Sequence, residues 1–377
     1  MTIESSRTDE QLTIDAAAQQ TGISAKVVDA TAVVPRNPDS QSAGGGDDDG
    51  AQPASLSSKL FRPHTIISFV VAIAIVFFFV RRLDVNPGEV WRNIRHANVG
   101  LYLAALILYY LSFVARAIRW RWMLKQAGLS EENGFSIPGH RGMLEIFLLS
   151  WFVNCVVPAK LGDAYRCYLL KRRSGAPISR SLGTILAERL TDLAVLFVTM
   201  SIAGIIAFRG HLPSEATRTL IIGSALLVVG GIAVVVLWYG RHIVERRLPE
   251  RFRMQFSQLH ESIFACLREP WKPVGVSILI WLADGMRLYL VARSLSGGVS
   301  FSVAEFVALM SALLTILPIT PAGLGVVEVA MIGVLKLVDV NASLAGSIAL
   351  MDRMITYWSL VIVGLILYIR RMRSDVR

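Results

Sequence analysis

Apolar runs of about the length that crosses a bilayer recur along this chain, at 64–80, 99–118, 181–208, 219–238, 273–295 and 342–369. A helix needs about 20 such residues to span the hydrocarbon core, and there it must satisfy its own backbone polar groups. The runs therefore read as an all-α polytopic membrane protein with about six full spans. A hydrophobic content of 54% and a mean hydropathy of +0.53 exceed what a soluble domain of this size usually buries. The net charge of +10 sits in short connections rather than on one face, so it reads as a topology signal and not as a nucleic-acid surface.

Residues 1–58 are rich in Ser, Ala, Gln, Asp and Gly and read as a disordered cytoplasmic tail, with the transmembrane domain over 59–377. No apolar stretch with a small-residue cleavage site lies near Met1, so the run at 64–80 is expected to act as an uncleaved signal anchor. Arg116, Arg119, Arg121 and Lys125 close the second run and read as ordinary interfacial anchors, with Trp120 and Trp122 at headgroup depth. Residues 240–272 are basic, with Val244, Leu248, Phe252, Phe256, Leu259, Ile263 and Leu267 at three- or four-residue spacing. They read as an amphipathic linker helix on an anionic inner leaflet. With both termini placed in the cytoplasm of an inner-membrane protein, the inside segments hold 24 Lys and Arg and the outside segments hold 6, which favours that orientation. Cys155, Cys167 and Cys266 form no CxxC, and the six histidines lie at run ends or in polar segments. Neither a disulfide framework nor a metal site is expected, and no cofactor.

Two further apolar stretches are too short to span, and a related motif breaks each. Met143 to Val157 stops at Pro158-Ala159-Lys160-Leu161-Gly162, and Val303 to Leu317 stops ahead of Pro321-Ala322-Gly323-Leu324-Gly325. Each motif is followed about thirty residues later by an acidic-Arg pair, Glu188-Arg189 and Asp352-Arg353. Helices broken at corresponding places in two halves point to inverted repeats, at about 99–238 and 273–369, each with a re-entrant helical hairpin. Full crossing by the short pieces is the alternative, with more spans and the same ends. Thr320 is a good N-cap for a helix opened by Pro321, and Gly323 and Gly325 permit close approach of the backbone. Free amide donors at those helix starts would hold an anionic group, with Lys160 adding charge in the first copy. Simple close packing of two helices competes with that reading.

Charges within apolar runs are costly and should face the bundle interior with partners. Glu188, Arg189, Asp192, Asp284, Arg287, Asp352 and Arg353 are of this kind. Arg189 with Asp192, and Asp284 with Arg287, are spaced to pair within one helix. Crossed pairs between the halves, Glu188 with Arg353 and Arg189 with Asp352, would follow from a pseudo-twofold axis.

The strings Asn154-x-x-x-Pro158-x-x-x-Gly162-Asp163-x-x-Arg166, Glu188-Arg189-x-x-Asp192 and Leu317-Pro318-Ile319-Thr320-Pro321-Ala322-Gly323-Leu324-Gly325-Val326-Val327-Glu328 carry a family resemblance. The chain resembles the lysylphosphatidylglycerol synthase transmembrane-region family, the flippase-like domain of the multiple peptide resistance factors, over roughly residues 60–370. Two mild departures are Ala322, where the family more usually has Gly, and Asp163, where it more usually has Glu. The resemblance implies movement of a lipid with a polar or anionic headgroup, an aminoacylated phospholipid or a glycolipid, between leaflets. It marks Asn154, Pro158, Gly162, Asp163, Arg166, Glu188, Arg189, Pro321, Gly323, Gly325 and Glu328, and the residue chemistry adds Lys160, Asp192, Thr320, Asp352 and Arg353. The expectation is a stand-alone member without the synthase domain, non-enzymatic, with membrane lipids as partners and no nucleic acid. A homo-oligomer, a lipid-modifying transferase or hydrolase, and a scaffold for a separate lipid-modifying enzyme stay open. No GxxxxGK[ST] loop is present, which argues against ATP-driven pumping by this chain.

Overall fold

The computed structural model describes residues 85–157, 161–209, 214–316 and 321–375. The tail, the run at 64–80, Pro158, Lys160 and Thr320 lie outside them. All regular structure among the described residues is helical. Among the described residues, five helices are long and apolar enough to cross a membrane, and they match the remaining expected spans: Val99–Gln126, Ile178–Ala207, Thr217–His242, Trp271–Ser294 and Ala342–Arg373.

In chain order the helices are α1 (Pro87–Arg95), α2 (Val99–Gln126), α3 (His140–Val156), α4 (Gly162–Ser174), α5 (Ile178–Ala207) and α6 (Ser214–Arg247). They continue with α7 (Glu250–Arg268), α8 (Trp271–Ser294), α9 (Phe301–Ile316), α10 (Val326–Lys336), α11 (Ala342–Arg353) and α12 (Leu360–Asp375). Side-chain caps set several starts: Asn86, Asn98 and Asn341 each accept an amide of the first turn they precede. A π segment, Met354–Ser359, joins α11 to α12 directly after Arg353. Within it the Thr356 carbonyl accepts the Tyr109 hydroxyl at 3.0 Å.

Helices α2 and α8 pack along their lengths and run antiparallel. Asn98 N–H donates to the Ser294 carbonyl at one end, and Gln126 donates to the Glu269 carbonyl at the other. Around this pair lie α5, α9, α3 and α11. The main core joins Phe113, Leu196, Met200, Leu288, Phe306, Leu309, Met331, Ile348 and Tyr357, and therefore draws on both halves of the chain.

The basic linker divides differently from the expectation. Helix α6 runs on to Arg247, and α7 begins only at Glu250. Part of the α7 face assigned to lipid instead packs on α5, where Gly183 lies so close to the Leu259 carbonyl and Ser262 that a methyl would collide with them. Ile263 and Cys266 are buried there, while Phe252 and Met254 remain exposed.

The two short pieces fold as helix pairs. In the first, α3 and α4 meet where Gly162 N–H donates to Asn154 Oδ1 at 2.8 Å and Ser150 Oγ donates to the Gly162 carbonyl at 2.9 Å. A Cβ at Gly162 would overlap the Ser150 carbonyl and the Asn154 amide, so this glycine sets the approach of the two helices. Gly162→Ala is expected to lower stability by about 1–3 kcal/mol, as overpacked sites do, measured by thermal unfolding in detergent. In the second, α9 is followed by a 3-10 turn over Pro321–Gly323, and α10 starts at Val326. The helix thus opens five residues later than Pro321 predicts, because Ala322, Gly323 and Gly325 all take positive φ, at 49°, 71° and 86°. A left-handed alanine is strained by roughly 1–2 kcal/mol, partly offset by the chain entropy glycine loses. Ala322→Gly is expected to raise the unfolding temperature modestly.

Candidate functional site

A cavity of about 500 Å³ opens among α2, α3, α5, α8, α9 and α11. Its polar wall carries Arg116, Asp163, Arg189, Asp192, Asp284, Arg287, Asp352 and Arg353, with Asn154, and its apolar wall carries Tyr109, Phe113, Trp151, Trp281 and Leu196. Eight residues singled out in the sequence therefore come together there: Asn154, Asp163, Arg189, Asp192, Asp284, Arg287, Asp352 and Arg353.

Apart from Arg116 with Asp284, the charges pair within each half of the chain rather than across it. Arg189 forks onto Asp163 at 2.9–3.1 Å, linking α5 to the first turn of α4. Arg353 Nε stands 2.9 Å from Glu328 in the first turn of α10, and its Nη2 donates to the Gly323 carbonyl at 3.4 Å. Each arginine of the two acidic-Arg pairs thus docks onto the helix that follows its own motif. The acids turn the other way. Glu188 takes Arg119 at 2.6 Å and also Arg166, and Asp352 takes Arg287. The crossed pairs are not formed. Adjacent residues point about 100° apart around a helix, so Glu188 and Arg189, like Asp352 and Arg353, reach different neighbours. The expected Arg189–Asp192 pair is also replaced, because Asp192 binds Arg119. The Asp284–Arg287 pair within α8 is present at 3.7 Å.

Arg116 and Arg119 are corrected from interfacial anchors to buried members of this network, at 5% and 1% exposure. Arg119 binds Glu188, Asp192 and Ser277 Oγ together, and Arg116 binds Asp284 at 2.9 Å between the rings of Trp151 and Trp281. Their place just ahead of Arg121 and Lys125 hides them in a basic helix end. The signal that separates them is their spacing, which puts both one turn apart on one face. Arg166 lies over Trp120 and Phe147 at 3.9 and 4.2 Å, so it is held by rings as well as by Glu188.

The remaining marked residues support the walls. Glu328 accepts the Gly325 N–H at 2.7 Å, and Asn154 accepts that of Gly162, so these two amides at the helix starts are already bonded. The expectation that they wait for an anion is corrected accordingly, and the cations facing the cavity are side chains. Gly323 supplies the carbonyl to Arg353, and Pro321 opens the turn that carries it. No group of three or more His, Cys, Asp or Glu suited to a metal occurs among the described residues.

A family model for the lysylphosphatidylglycerol synthase TM region matches residues 65–364, most of the chain and nearly all of the helices just described. The chain belongs to that family. It is 32% identical to a UPF0104 membrane protein of Methanocaldococcus jannaschii, over 58% of this chain and 93% of the relative. It is 24% identical to a UPF0104 membrane protein of Pyrococcus horikoshii, over 73% of this chain and 88% of the relative. A match at 25% identity to the glycosyltransferase AglD of Haloferax volcanii covers 73% of this chain but 49% of that protein.

Proposed function

We propose that this membrane protein moves a polar-headgroup lipid between leaflets, with the headgroup passing through the charged cavity while its tails stay in the bilayer. The observation that carries the reading is the wall itself: arginines and carboxylates from both halves of the chain, on α2, α5, α8 and α11 among others, face one cavity. Such charges are expensive inside a membrane, and a wet path for a polar cargo is a use that repays them. Aromatic faces at Tyr109, Trp151 and Trp281 give the cavity an apolar side beside the charges, as an amphipathic cargo needs.

The proposed architecture is a pair of inverted repeats with re-entrant hairpins α3–α4 and α9–α10, with both termini in the cytoplasm of the inner membrane. Three observations support it. Asp284 lies 168 positions after Arg116 and pairs with it, and Arg287 follows Arg119 at the same interval. Arg119 and Arg287 each hold the acid of their own half's acidic-Arg pair. The arginine of each pair binds the helix after its own motif. Residues equivalent under a pseudo-twofold axis between antiparallel α2 and α8 would meet in this manner.

The two ends differ in exposure. Arg189 and Asp163 are 43% and 28% exposed, against 8% and 17% for Arg353 and Glu328. With the proposed orientation, that favours a state open toward the cytoplasmic hairpin and closed at the other. The role is non-enzymatic in this reading, and the partners are lipids. Purified protein in proteoliposomes, offered a panel of headgroup-labelled lipids, should bring at least one class to the opposite leaflet at a rate above protein-free vesicles. Chemical turnover of a lipid by the purified protein, lost in Glu188→Gln without loss of fold, would replace transport with membrane-embedded catalysis.

A further inference from the structure

Glu305 stands on α9 with 3% of its surface exposed, and neither carboxylate oxygen has a hydrogen-bond partner among the described residues. Its side chain lies on Gly285 of α8, where even a methyl group would collide with the carboxylate. The helices run antiparallel here, since the Tyr289 ring of α8 meets Phe301 of α9 at 6.1 Å. Glu305 is therefore packed into dry protein one residue away from Asp284, a wall residue of the cavity. On its own helix it shares a stripe with Ala308 and Ala312, which also line that cavity.

The charged groups around it leave this carboxylate without a counterion. On α8, Asp284 is an acid held by Arg116, and Arg287 is taken by Asp352 and Asp284. On α5, the Phe208 ring lies 5.5 Å from that of Phe306, which brings the uncharged stretch 193–207 alongside. Asp192 is then about 24 Å further along at 1.5 Å per residue, with Arg189 and Glu188 beyond it. Arg209, just past that helix, has an interaction of its own. On α10, Glu328 binds Arg353, and Lys336 is exposed. An ionised carboxylate without partner or water costs several kcal/mol, so this arrangement suits the neutral acid. A hard metal cation would need several oxygen ligands, which a lone carboxylate does not supply, so the ligand that fits is a proton.

We propose that Glu305 is a proton-binding site coupled to the lipid cavity, carrying its proton in the conformation seen and releasing it to water when the α8–α9 contact opens. Release breaks the O–H bond and leaves a carboxylate beside Asp284. Arg116 and Arg287, already in that cluster, are the cations able to answer the new charge. Exchange of either arginine toward Glu305 loosens Asp284 and thereby changes the cavity wall. This inference rests on the lipid-moving reading for its purpose, though the proton site itself can be measured separately.

The test has two arms on the full chain. Infrared difference spectra of the purified protein should show the carbonyl stretch of a protonated carboxyl near neutral pH, absent in Glu305→Gln and kept in Glu305→Asp. In proteoliposomes holding a headgroup-labelled phospholipid, an imposed pH gradient should change the wild-type rate by about tenfold, roughly 1.4 kcal/mol in barrier, and the Glu305→Gln rate by less than about twofold. Size-exclusion profiles of the variants should match the wild type; if Gln misfolds, the Asp variant carries the comparison through its retained band and gradient response. Identical infrared spectra and identical gradient responses in wild type and Gln would overturn the proposal. A carboxyl band that disappears in Gln, with no lipid movement by any protein, would keep the proton site and refute the lipid-moving reading.

Discussion

Glu188→Ala is expected to destabilise the protein by about 3–5 kcal/mol, enough to remove most of the folded material from a detergent extract. The cause is specific. Glu188 is 3% exposed and is the shared partner of Arg119 and Arg166, both of which are 1% exposed. Removing it leaves two buried guanidiniums short of their counterion, and breaking a buried pair from one side costs far more than the pair contributes when intact. Arg119 keeps Asp192 and Ser277, so the heavier loss falls on Arg166, which retains the faces of Trp120 and Phe147. Arg166→Met in the Glu188→Ala background should therefore recover part of the lost stability, because it withdraws the orphaned charge. Thermal unfolding of the single and double variants measures this. Equal stability of Glu188→Ala and wild type would show that the cluster does not hold the charges described.

Arg189→Ala and Arg353→Ala together are expected to slow lipid movement by tenfold or more, about 1.4 kcal/mol or greater in barrier, while the fold survives. Arg189 is 43% exposed, and exposed ion pairs contribute about 0–1 kcal/mol, so its loss should barely change stability. Arg353 is more enclosed, but Glu328 would keep the Gly325 amide, which limits the charge left without a partner. Function should respond much more strongly, because these arginines join the cavity wall to the helix following each motif. Under the proposed function each would bind a headgroup phosphate or carboxylate and, by exchanging its acid, let that helix move.

The long spans were legible in the sequence because length and apolarity act locally. All five that fall on described residues occur at their expected positions. The acidic-Arg pairs were legible as buried, since charge inside an apolar run is a strong signal. Their partners were not. Which acid meets which arginine depends on the rotation of each helix about its axis and on the α2–α8 register, and neither can be read from a motif. Arg116 and Arg119 show the same limit: next to Arg121 and Lys125 they look interfacial, and only the packing of α2 on α8 and α5 takes them inside. The start of α10 departs from the sequence expectation for a backbone reason. Pro321 is suited to a first helical position, yet three positive φ angles in the next four residues delay the helix. The isolation of Glu305 appears only once Gly285 is found beneath it.

The most direct test of the central claim is the rate at which a headgroup-labelled lipid reaches the opposite leaflet of proteoliposomes containing wild type or the Arg189→Ala, Arg353→Ala double variant at equal density. Passage through the charged cavity predicts wild-type movement well above protein-free vesicles and a fall of tenfold or more in the variant. Equal movement by the two proteins would contradict it.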